Sequence, residues 1–203
     1  QTLQRLYNTR HDPLLAKIIA ADAYVWFIAV LQILIITEMG KRMWGLNERQ
    51  TSYLLVAELL GVGLGGLLAG QIAKGPRWFR VLPPAMLLLG LFTGLIFLTE
   101  FFPQSFQIPW VAGCLLLAGL AGGVLLIPME AFFQIRPEPK EKGSVIAAAN
   151  FAGFAGMALS APADFTLRAV WYMPTRRFLF VSIASLVVAV WMYVSLGRQE
   201  DDT

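Results

Sequence analysis

The chain is short of charge. Only 14% of its 203 residues are Asp, Glu, Lys or Arg, against about 25% in an ordinary soluble domain. One cysteine, Cys114, sits inside an apolar run, which excludes an intrachain disulfide and argues against thiol redox chemistry. One histidine, His11, lies in a polar N-terminal stretch and reads as a solvated or headgroup-level side chain. No H-E-x-x-H, no G-x-S-x-G, no histidine–acid pair of the acyltransferase kind and no glycine loop before G-K-[ST] occurs. The expectation is therefore no enzymatic activity, no metal and no cofactor. The net charge of +3 is spread over short loops, so no nucleic-acid surface is expected.

What the chain has is apolar length. It is 57% hydrophobic with a mean hydropathy of +0.63, more apolar sequence than one water-soluble core uses. A bilayer-crossing helix needs about 17–25 residues, and six stretches qualify: Leu14–Gly40, Ser52–Ala73, Val81–Phe101, Pro109–Gln134, Gly143–Phe165 and Arg177–Leu196. They are continuous rather than alternating, which favours helices over barrel strands. The expected fold is an all-α membrane protein of six transmembrane helices. Residues 1–13 read as a cytoplasmic linker, 14–197 as the bundle and 198–203 as a cytoplasmic tail. The opening QTLQRLYNTRHD also suits a short amphipathic surface segment. The start at Gln1, with no signal peptide before the first span, reads as a piece of a longer protein.

Six crossings put both termini on one side. Ten lysines and arginines fall on that side and six on the other, so the positive-inside rule makes it the cytoplasm. Trp44, Tyr53, Trp78, Trp110, Trp171, Tyr172, Trp191 and Tyr193 lie near span ends, as an interfacial belt requires. Small residues recur four apart at Gly61/Gly65, Gly66/Gly70, Gly90/Gly94, Gly119/Gly123 and Ala149/Gly153. In lipid such pairs let helix backbones meet closely.

Ionisable groups at membrane depth are costly, about 2.5–3.5 kcal/mol at mid-span on insertion scales. Asp22 and Glu38 lie towards opposite ends of the first span and are expected to reach headgroups or water. Gln32 is deeper and suits a cavity wall or an interhelix bond. Glu58, about two turns into the second span, is a candidate for cavity lining. Glu130 and Asn150 sit at similar depth on consecutive spans, with Gln134 at the exit. Pro128 removes a backbone donor and can turn Glu130 inward. The plainer expectation for Glu130 is a partner in the basic loop, Arg136, Lys140 or Lys142.

Six helices, both termini inside and a short basic loop after the second resemble one half of a major facilitator superfamily transporter. The family's loop pattern is roughly G-x-x-x-D-[RK]-x-G-[RK]. Here Gly66–Gly75 keeps the first glycine and a basic end but has Gly70 and Gln71 at the acidic and basic positions. The stretch GGVLLIPMEAFFQIRPEPKEKGSVIAAANFAGFAGM is similar to the bacterial lysophospholipid transporter branch, some members of which are fused to acyltransferase and acyl-carrier-protein synthetase domains. Gly122, Gly123, Pro128, Met129, Ala131, Gln134, Gly143, Ala147 and Asn150 carry that resemblance, while Glu130 stands where relatives often have asparagine. It implies the C-terminal half of a twelve-helix protein of the inner membrane. That protein would move lysophospholipid by alternating access, with the N-terminal half, membrane lipids and a fused or associated acyltransferase as partners. The candidate substrate-binding residues are Glu130, Asn150, Glu58, Gln32 and Gln134, of which Gln134 and Asn150 belong to the stretch that carries the resemblance. A proton-coupled carrier of a small solute and a non-transporting membrane anchor for a lipid-modifying enzyme remain alternatives.

Overall fold

The computed structural model describes residues 12–75 and 77–197. The proposed amphipathic opening, apart from Asp12, and the tail from 198 lie outside them. All six expected spans are helices: α1 Pro13–Trp44, α2 Glu48–Ile72, α3 Leu82–Leu95, α4 Gln104–Ile135, α5 Lys142–Val170 and α6 Pro174–Gly197. Two 3₁₀ segments, Trp78–Val81 and Ile96–Phe101, extend α3 at both ends. Six helices are thus long and apolar enough to cross a membrane, and the described residues hold no strand.

Local chemistry sets the ends. Asp12 caps α1 by accepting from the Leu15 amide at 3.2 Å, and Pro13 occupies the first helical position, where its missing N–H costs nothing. Gly45 closes α1 in the left-handed region at φ 61°, which suits a residue without Cβ. Asn47 and Gln50 then form a reciprocal capping box that opens α2. The far-end termini Trp44, Glu48, Gln104, Val170 and Pro174 lie beyond the expected apolar spans, whereas the terminal-end ones agree with them to within a residue. α4 in particular starts at Gln104 and carries both Pro109 and Pro128 inside it.

The helices alternate between a terminal end, where α1 begins and α6 finishes, and a far end. Lys17 donates to the Ser195 carbonyl at 2.7 Å and Arg136 to Asp12 at 2.9 Å at the terminal end. Trp44 Nε1 donates to Gln107 Oε1 at 2.8 Å at the far end.

The main helix pairings are α1 with α5, α2 with α4 and α3 with α6, followed by α3 with α4 and α1 with α6. Exchanging α1 for α4, α2 for α5 and α3 for α6 returns the same set. Three helices are an odd number, so the second trio crosses in the opposite sense to the first. α1 and α4 are the most enclosed helices. The outer surface is apolar, with Leu59 and Leu67 on α2 and Val187 on α6 exposed.

Glycines set the closest approaches. A Cβ at Gly61 would overlap the Leu116 carbonyl and one at Gly65 that of Leu120. Reciprocally, one at Gly119 would overlap the Glu58 carbonyl and one at Gly123 that of Val62. Two of the expected small-residue ridges therefore pack against each other, backbone on backbone. Gly156 meets the Ala23 carbonyl in the same way, and Gly153 faces Trp26. Gly70, by contrast, has open space around it.

Candidate functional site

Two polar constellations lie within the bundle. The first is near the terminal end. Asp22, nine residues into α1, is about 14 Å along the helix from Pro13 at ~1.5 Å per residue. Its side chain is only 2% exposed, and its Oδ1 is buried without a hydrogen-bond partner. It does not reach headgroups or water as its distance from the span end suggested. Glu130 of α4 lies within electrostatic range of it. Asp22 and Glu130, on the two most enclosed helices, thus feel each other's charge. No cation pairs with either acid among the described residues: Arg136, expected beside Glu130, is held by Asp12 instead. Asp12 caps α1 at the same end and is therefore already in position.

The remaining candidate residues are not gathered there. Asn150 is at a similar depth but exposed on α5, whose Ala149, Gly153 and Gly156 occupy the face turned to α1. Gln134 is exposed one turn beyond Glu130. Glu58 is half-buried, and its carbonyl packs on Gly119. Gly119 lies eleven residues, or about 16 Å, from Glu130 along α4. Gln32 is buried with its Oε1 unpaired, about 15 Å beyond Asp22 on α1.

The second constellation lies at the far end and joins α1, α5 and α6. Arg177 is 0% exposed. Its Nη1 donates to Asp164 Oδ1 at 2.8 Å, and its Nη2 lies 2.7 Å from Glu38 Oε2. Arg168 Nε donates to Asp164 Oδ2 at 2.7 Å and lies 3.1 Å from Glu38 Oε2. Arg42 Nη1 is 3.1 Å from Glu38 Oε1. The Glu38 contacts are short ion pairs without hydrogen-bond alignment, whereas both Asp164 oxygens accept aligned bonds. Asp164 is therefore the directional centre of the network and Glu38 its charge balance.

From the sequence, Glu38 is expected at headgroups or water, Arg168 and Arg177 count among the charges of the far side with Arg177 opening the sixth span, and Asp164 has no role. The available signal was Asp164–Arg168 at i,i+4, one turn from a span end and followed by Arg176-Arg177. Two carboxylates and three guanidiniums, with Arg177 fully buried and Arg42 and Arg168 partly exposed, tie α1, α5 and α6 together at the far end.

Fold and site define an all-helical bundle of the multi-pass membrane type, in which Asp22 and Glu130 of the two most enclosed helices pair with no cation among the described residues. No protein-family model, curated protein or solved structure matches the chain.

Proposed function

We propose that the chain is one six-helix half of a major facilitator-type transporter that moves lysophospholipid across the bacterial inner membrane by alternating access, with both termini cytoplasmic. The observation that carries this reading is the burial of Asp22, one oxygen unpaired, within electrostatic range of Glu130 on the other most enclosed helix, with no described cation paired to either. Intramembrane carboxylates without partners mark substrate or ion pathways. The exchange symmetry of the helix pairings supports it, because inverted three-helix repeats build alternating-access carriers with their sites at the repeat interface. The resemblance around Gly122–Asn150 supplies the lipid class. On this reading the ethanolamine ammonium of the substrate sits between Asp22 and Glu130, and a six-helix partner half closes the cavity.

The two carboxylates also favour a second reading, in which an acid at membrane depth carries the proton that couples transport of a small solute. Reconstitution of the full-length parent in proteoliposomes separates the two. Inward movement of lysophosphatidylethanolamine that falls at least tenfold in Asp22→Asn and Glu130→Gln, yet survives a protonophore, supports lipid transport. No lipid movement by folded wild type overturns it.

A further inference from the structure

A groove of about 750 Å³ runs between α3 and α6 at the terminal end, away from the α1–α4 centre. Its walls are Pro83 and Leu87 on one side and Leu186, Ala189 and Val190 on the other. From Leu186 to Leu196 it follows about 15 Å of α6. Leu87, Leu186 and Val190 remain substantially exposed in it, so it opens to the outside of the bundle. That volume lies within the roughly 300–1,000 Å³ of ordinary small-molecule sites.

The terminal-end rim carries the opposite chemistry. Arg80 and Tyr193 line it, and Lys74 and Arg77 precede Arg80 in an exposed turn. No Asp or Glu occurs between Leu59 and Thr99 or between Pro174 and Gly197; Glu200, Asp201 and Asp202 lie outside the described residues. Trp78, whose ring packs on Phe132 at 5.0 Å, holds this turn against α4. Prolines at 83 and 84 open α3 and give the groove a stiff, smooth wall without a backbone donor. A slot that is apolar along its length and basic at one rim matches a molecule with a hydrocarbon tail and an anionic head.

We propose that this groove binds an anionic phospholipid of the surrounding bilayer, one acyl chain lying between α3 and α6 and the phosphate at Arg80. A guanidinium has five donors and can hold a phosphate alongside an existing partner. Basic pockets between membrane helices hold anionic headgroups on the same principle. The bound lipid is a fixed component of the α3–α6 face and is not transported cargo, so the proposal stands apart from the α1–α4 site.

The purified full chain is tested in detergent by native mass spectrometry, with dioleoyl phosphatidylglycerol and dioleoyl phosphatidylcholine as probes. Phosphatidylglycerol should be retained about fivefold more than phosphatidylcholine, the worth of one well-placed arginine. Arg80→Gln should abolish that preference, and Lys41→Gln at the far end should leave it intact. Val190→Trp, which fills the groove from an exposed position, should lower retention of both lipids. Equal retention of the two lipids by wild type overturns the proposal. So does an equal effect of Lys41→Gln and Arg80→Gln, which would mean general surface charge, or no effect of Val190→Trp.

Discussion

Replacing Arg177 by methionine should be the most damaging single charge change in the bundle. The guanidinium is fully buried and touches two carboxylates, Asp164 at 2.8 Å and Glu38 at 2.7 Å. Two unit charges about 4 Å apart attract by ~4 kcal/mol at an effective dielectric of 20. Desolvation of all three groups offsets much of that sum in the folded protein, but removal of one partner strands the others. Such a loss costs about 3–5 kcal/mol. Arg168 also touches both acids, from a side chain 41% exposed, so part of the loss is compensated and about 3 kcal/mol is expected.

Arg42→Met removes one pair whose cation is 48% exposed and should cost no more than about 1 kcal/mol. The measurement is unfolding of the detergent-solubilised protein by denaturing detergent, followed by circular dichroism. If Arg177→Met and Arg42→Met differ by less than about 1 kcal/mol, the idea of a buried, mutually dependent network is wrong. The triple change Arg177→Met, Glu38→Gln, Asp164→Asn should recover part of the loss, because no fully buried charge then remains unpaired, while Arg168 and Arg42, 41% and 48% exposed, keep access to solvent.

Gly119→Ala forces a methyl group onto the Glu58 carbonyl and should destabilise the α2–α4 pair by about 1–3 kcal/mol. Gly113→Ala on the same helix, where nothing lies within 4 Å, should be neutral or stabilise by about 0.5–1 kcal/mol; equal effects in the same unfolding assay would remove backbone contact as the cause. Tyr24→Phe loses the 3.0 Å hydrogen bond to Ser185 that ties α1 to α6 and should cost about 1 kcal/mol. Ser185→Ala should show the same loss, and the double variant should add little to either.

The residues made some of this legible and hid the rest. Gly61/Gly65 and Gly119/Gly123 announce close packing, whereas the ends set by Pro13, Gly45 and the Asn47–Gln50 pair fall outside the apolar runs Leu14–Gly40 and Ser52–Ala73. Which ridge meets which was not visible, since Gly66/Gly70 has the same spacing and yet Gly70 packs on nothing. Glu130 is marked by its depth, yet the described charge it acts on lies on α1, more than a hundred residues away, and not in the adjacent loop. Asn150 matched its depth and faces elsewhere.

Span number, helical state and depth follow from the sequence by itself, because hydrocarbon thickness and the cost of unsatisfied backbone act on each segment locally. Which face of each helix is turned inward did not follow. In spans apolar all round, no polar stripe records the direction of the core. Only packing of the six helices together selected the faces, burying Arg177 against Glu38 and Asp164 and leaving Asp22 opposite Glu130.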